Sequence, residues 1–175
     1  MTSRNAFLYI LLFLALTACA SPPIETAVPA NLVPAGERQV ERLSARGLQT
    51  YECRAKSGDA SSAAWVYVAA ELELFDVNDK PAGRHTFSPP VWEAPDGSKF
   101  AGTQKARADA PEAGAAPWLL VSTKSTGAEG RFAKITSLQR VNTKGGVAPV
   151  SGCDTKAIGK KELVPLRADF ILFSS

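Results

Sequence analysis

Histidine occurs once and cysteine three times in 175 residues. A single imidazole excludes zinc sites built on several histidines, and the absence of a Cys-x-x-Cys pair weighs against thiol or metal chemistry. The chain has no Gly-x-Gly-x-x-Gly between a strand and a helix, no Gly-x-Ser-x-Gly elbow, and no phosphate-loop, calcium-loop or metalloprotease spacing. Nothing therefore points to a cofactor, and none is expected. Long helical periodicity is missing. So is an excess of one charge: of twenty Lys and Arg only Arg4 precedes residue 19, leaving nineteen basic against seventeen acidic side chains. That balance gives no electrostatic case for nucleic acid or an anionic membrane surface as a partner. Beyond residue 16 no apolar run approaches the ~18 residues needed to span a bilayer.

What is present begins at the N-terminus. Arg4 supplies a short basic start, and Ala6–Leu16 is an apolar run of eleven residues, too short for a membrane span. Small residues then precede a cysteine, and Leu16-Thr17-Ala18-Cys19 resembles the bacterial lipobox. The resemblance implies cleavage before Cys19 and a diacylglycerol on its thiol. Residues 1–18 are then a lipoprotein signal peptide, and the membrane is a partner through the lipid anchor at Cys19. An ordinary cleaved signal or an uncleaved anchor is the alternative. Each buried acyl methylene contributes about 0.8 kcal/mol, and two chains suffice for stable attachment. Ala20 stands where lipoproteins of the inner membrane often carry Asp. The expected location is thus the cell envelope, at the outer membrane facing the periplasm if the cell is Gram-negative.

With Cys19 committed, Cys53 and Cys153 remain, and in an exported protein they read as one disulfide. It would close a loop of about 100 residues, worth roughly 4 to 5 kcal/mol in the chain-entropy model. Removing residues 1–18 leaves 157, enough for one domain with a real core. Residues 19–35 hold four prolines and no periodic apolar face, which describes a flexible tether reaching about 45 Å. The domain is expected over 36–175.

Within it, short apolar runs alternate with Gly, Pro, Asn and Asp, the pattern of a single all-β domain, either an antiparallel barrel or a sandwich. Residues 37–46 suit a strand or a helix, with the strand favoured. Gln49–Ala55 alternates so that Tyr51 and Cys53 share a face. Residues 65–75 read as a strand, 76–83 as a turn, and 85–87 and 91–93 as short strands broken by Pro89-Pro90. Ala94-Pro95-Asp96-Gly97-Ser98 is a hairpin signal, returning through a strand over 99–104. Residues 106–117 read as a loop, 118–121 as core, 132–141 as a strand with a bulge, 142–146 as a turn and 170–173 as a buried strand.

Several blocks together look familiar: Gly47-Leu48-Gln49-Thr50-Tyr51-Glu52-Cys53, Trp92-Glu93-Ala94-Pro95-Asp96-Gly97-Ser98, and Ala116-Pro117-Trp118-Leu119-Leu120. The most specific is Gln139-Arg140-Val141-Asn142-Thr143-Lys144-Gly145-Gly146, followed by Gly152-Cys153. Their order resembles a family of exported bacterial and fungal proteins catalogued as a domain of unknown function, over about residues 30 to 173. The resemblance implies kinship and no chemistry. A malate dehydrogenase label carried by some fungal relatives has no support in this chain, which lacks the dinucleotide fingerprint and any βαβ alternation. Phe87-Ser88-Pro89-Pro90 departs from the Gly-Pro pair usual before the tryptophan.

Few residues could carry a site. Trp92 offers an indole face for a sugar or another flat ligand, whereas Trp118, inside an apolar run, reads as core. Arg140, Asn142 and Thr143, beside the Gly145-Gly146 backbone, could hold a polar or anionic ligand. The structural alternative pairs Arg140 with a carboxylate such as Asp169. His85 with Glu93 or Asp96 could form an acid–base pair for a hydrolase or isomerase, against a strand-end histidine with one satisfied hydrogen bond. The leading expectation is a non-catalytic, lipid-anchored envelope module binding a small-molecule or carbohydrate ligand, or a protein partner. The alternative is an envelope enzyme using His85.

Overall fold

The computed structural model describes residues 27–175; the signal peptide expected over 1–18 and the expected lipidation site Cys19 lie outside them. Eight antiparallel strands form a closed barrel: β1 (Arg38–Lys56), β2 (Asp59–Phe75), β3 (Pro81–Phe87), β4 (Val91–Glu93), β5 (Lys99–Ala108), β6 (Trp118–Ser125), β7 (Ser137–Gly145) and β8 (Lys161–Ser174). Each strand pairs with its sequence neighbour, and β8 returns to β1 from Arg38↔Ser174 to Glu52↔Lys161. Closure leaves no free sheet edge, which decides between barrel and sandwich.

Of residues 37–46, all from Arg38 onward belong to β1, where Leu43 and Ala45 alternate inward and are 1% exposed. A helix would have split the apolar set that the barrel needs on one face. β2 carries the period change the sequence hides. Thr50 faces Ala69 and Tyr51 faces Tyr67, so Val68 is the extra residue of a bulge. Ala70, Leu72 and Leu74 point inward, and the bulge brings Tyr67 to the same face. Without it, Val66 and Val68 would occupy the interior.

The odd strands run toward one end of the barrel and the even strands away from it. The opposite end is plugged. There Phe132 is fully buried against Phe100, with ring centroids 5.5 Å apart. Asp96, in the β4–β5 hairpin, organises the plug. Its Oδ1 accepts from the Ser98 amide (3.0 Å) and hydroxyl (2.6 Å), and its Oδ2 from the Arg131 amide (2.8 Å). The Phe132 amide in turn donates to the Ser98 hydroxyl at 2.9 Å.

Several local expectations change: β3 begins at Pro81 inside the expected turn, β5 runs to Ala108 inside the expected loop, and β8 begins at Lys161, well before residue 170. Residues 132–134 form a turn and 135–136 are irregular, not the start of a bulged strand, because Phe132 is used as the plug. The bulge falls later, between Val141 and Lys144, where Asn142 takes φ 50°. Residues 142–145 are therefore strand and not a turn. Finally, the C-terminal part of the expected tether is docked. Ala30–Leu32 forms one 3-10 turn, and Leu32 is fully buried against Trp118, Leu120, Val141 and Ile171 on the barrel's outer face. The Gln139 amide donates to the Leu32 carbonyl at 2.6 Å, and the Asn31 amide to that of Arg107 at 3.1 Å. This cover explains why Trp118–Val121 is apolar on both faces: Trp118 and Leu120 meet Leu32, while Leu119 and Val121 face the interior.

Candidate ligand-binding site

At the end where β1, β3, β5 and β7 finish, the core gives way to a cavity of about 320 Å³. Gln49 and Tyr51 of β1, Tyr67 of β2, Gln104 and Arg107 of β5, and Arg140 of β7 form its polar wall. His85, Trp92 and Phe170 lie deeper, with Phe87, Pro90, Leu119, Val121 and Leu138 completing the apolar lining.

The floor is a stack of rings. His85 lies on Trp92 with centroids 4.0 Å apart and planes 14° apart, and Trp92 lies on Phe100 at 5.3 Å. Phe170 meets the Trp92 ring edge-on at 5.9 Å, so each ring sets its neighbour. Gly102 makes this possible. A Cβ there would sit 2.7 Å from Trp92 Cζ3 and 2.6 Å from Val121 Cγ1, so a side chain would displace the indole. The Trp92 and Trp118 indole N–H groups, both buried, have no acceptor among the described residues.

His85 is 7% exposed. Its Nδ1 lies 3.0 Å from the Val91 carbonyl, which can only accept, so Nδ1 carries the hydrogen of the neutral ring. Burial first, with the Arg140 charge adding to it, pushes its pKa down to about 4. The strand register separates it from the acids that the sequence set beside it. His85 pairs with Trp92, facing inward, while Arg84 pairs with Glu93, facing outward, and the Arg84 guanidinium holds Glu93 at 2.7 Å. That ion pair lowers the Glu93 pKa. Asp96 belongs to the plug at the far end, where the Arg131 amide, then Ser98, brings its pKa down to about 2. The structure does not bring His85, Glu93 and Asp96 together.

Of the four residues singled out for binding, Trp92 and Arg140 line the cavity. Asn142, in the β7 bulge, donates instead to Asp169 at 2.7 Å, and the Thr143 hydroxyl to the Ala116 carbonyl at 2.5 Å. The glycine backbone is also committed: the Gly146 amide donates to Pro165 O at 2.9 Å and its carbonyl accepts from the Tyr51 hydroxyl at 2.8 Å. Asp169 is engaged by Arg42 and Asn142, so it is not the partner of Arg140.

Arg140 is the unusual member. Its Nε and Nη2 donate to the Pro117 carbonyl at 3.3 and 2.8 Å, and it makes no ion pair among the described residues. Burial pushes the guanidinium pKa down, while Tyr67 and Tyr51 oppose that shift. Tyr67 is itself pushed up to about 12, chiefly by burial, so both phenols stay protonated. None of the described lining residues is acidic. Arg107, at the mouth, lies 3.9 Å from Asp109.

The rim is fixed by the disulfide. Cys53, near the tip of β1, is bonded to Cys153 in the loop over 146–160, one hundred positions away. Hydrogen bonds reinforce it: the Cys53 amide donates to Lys160 O, the Gly159 amide to Cys53 O, and the Trp65 indole to Ser151 O. Among the described residues no group of three or more His, Cys, Asp or Glu could hold a metal. Residue types near the cavity were legible from the sequence, but Gln49, Tyr67, Gln104 and Arg107 were not. Tyr67 depends on the β2 bulge and Arg107 on the register shift between Gln104 and Ala106, while Gln49 and Gln104 follow the local alternation of Tyr51 and Gly102 but carry no chemical signal of a site.

Compared with known families, residues 34–174 match the model described as Protein of unknown function (DUF3455). The chain belongs to this family. The match spans all eight strands, the cavity and both disulfide cysteines, and it begins just after the docked 3-10 turn. No curated protein and no solved structure matches the chain.

Proposed function

We propose that this protein is a binding module of the cell envelope, lipid-anchored at Cys19, that holds a small molecule in the open end of its barrel without performing chemistry on it. The observation that carries this reading is the cavity. Its volume of about 320 Å³ lies at the lower end of the range for small-molecule sites, roughly 300 to 1,000 Å³. Its apolar floor and few polar wall groups have the composition such sites share. The stacked His85–Trp92 floor supplies a face for a flat ligand, a sugar ring included. The lipobox-like Leu16-Thr17-Ala18-Cys19 supports the anchor.

A thermal-shift screen against sugars, cell-wall fragments and small organic acids tests the binding role. A ligand present at a hundred times its Kd stabilises by about 2.7 kcal/mol. Gln104→Trp, which fills the mouth from an exposed lining position, is expected to abolish the shift while leaving the unliganded protein folded. No shift in wild type across the panel overturns the binding reading. Cys19→Ser is expected to move the protein from the membrane to the soluble fraction, and unchanged fractionation overturns the anchor.

A further inference from the structure

We propose that the occupant is a small monoanion, a carboxylate on a flat apolar body, whose charge is taken by the outward edge of Arg140. This rests on the binding reading above and deepens it.

A guanidinium presents five N–H donors in a fixed plane. The Pro117 carbonyl receives Nε and Nη2, the side-on edge of that plane. The remaining donors are both N–H groups of Nη1 and one of Nη2. They form the end-on edge, whose two parallel donors match the two oxygens of a carboxylate. No protein acceptor among the described residues engages that edge. Within proteins, a cation withdrawn from water is ordinarily met by a carboxylate. Here Asp169, on the paired strand β8, turns away to Arg42 and Asn142, and Glu93, on β4, is held by Arg84 on the outer face.

The charge count selects one negative charge. His85 is neutral at physiological pH, both phenols stay protonated, and Arg107 at the mouth lies near Asp109. Arg140 is the positive charge held inside the barrel, Arg107 being exposed to solvent at the mouth, and a single inner charge suits a carboxylate better than a phosphate dianion. The rest of the lining selects the body. Trp92, His85 and Phe170 form a floor of rings, with Phe87 and Leu119 at the sides. A planar aromatic or unsaturated acid would lie on that floor with its head toward β7.

The test is calorimetric titration at pH 7 of benzoate, cinnamate and 2-naphthoate, each against its neutral primary amide, with 2-naphthyl phosphate as the dianion. At least one acid is expected to bind about 10- to 100-fold more tightly than its amide, the range of a charge-assisted bidentate contact. Arg140→Gln should erase that preference, and Arg140→Lys should keep part of it. Equal binding of acid and amide by wild type overturns the inference, and this contrast needs no variant to fold. So does a preference that survives in a folded Arg140→Gln protein, or a phosphate ester that binds tenfold more tightly than the carboxylate. Should sugars shift the melting temperature while every acid and amide fails, the anion inference falls and the binding reading stands. If nothing binds, both fall.

Discussion

The imidazole of His85 is the only one in the chain, so its proton signals are unambiguous by nuclear magnetic resonance. Stacked on Trp92 and desolvated, it should remain neutral at pH 6 and titrate near 4 instead of the usual 6.5. In the unfolded chain it takes its proton near 6.5. Between the two values the unfolded state binds more protons, so folding stability falls as pH drops from 6.5 to about 4. The loss from this group is on the order of 3 kcal/mol. His85→Gln, which does not titrate, should flatten the decline in that window. A folded-state midpoint at 6.5 would place the ring in water and refute the stacked floor. That the histidine sits beside a tryptophan can be suspected from their nearness in sequence. That Glu93 lies on the other face follows only from the β3–β4 register, in which Arg84 and not His85 stands opposite it.

Elements show the same division. Alternation in β1 and in the second half of β2 is plain in the letters, because each residue of a strand must choose a face. The bulges are not, since Val68 and Asn142 look like ordinary strand and turn residues until the partner strand shows them unpaired. The docked N-terminal turn is the clearest case. Proline-rich composition describes an extended tether, yet Leu32 covers an apolar patch made by β6, β7 and β8. Leu32→Ala is expected to lower stability by about 2 to 5 kcal/mol, the range for emptying a buried leucine site. Urea denaturation measures it. An unchanged midpoint would mean that the segment lies free in solution.

For the molecule as a whole, the barrel joins the two ends of the domain through β1 and β8, and the disulfide ties the long β7–β8 loop to the tip of β1. The plug at one end and the cavity at the other divide labour between stability and binding. Replacing both cysteines by serine is expected to cost about 2 to 5 kcal/mol, mainly through the freedom regained by an unfolded loop of one hundred residues. Chemical denaturation of wild type with and without a thiol reductant gives the same comparison. A midpoint that does not move would show that the bridge contributes nothing. The family match over residues 34–174 covers both the plug and the cavity.

By itself the sequence determined the all-β class, the pairing of Cys53 with Cys153, the hairpin at Asp96-Gly97 and two lining residues, Trp92 and Arg140. Those features depend on composition, local alternation or turn chemistry, each readable within a few residues. Only the tertiary structure decided that the sheet closes, that β2 shifts phase at Val68, that Asp169 turns to Arg42, and that Arg140 is left facing a cavity without an acid. The reason is physical: register and closure are set by partners up to one hundred or more positions away, and a one-residue slip sends every side chain of a strand to the opposite face.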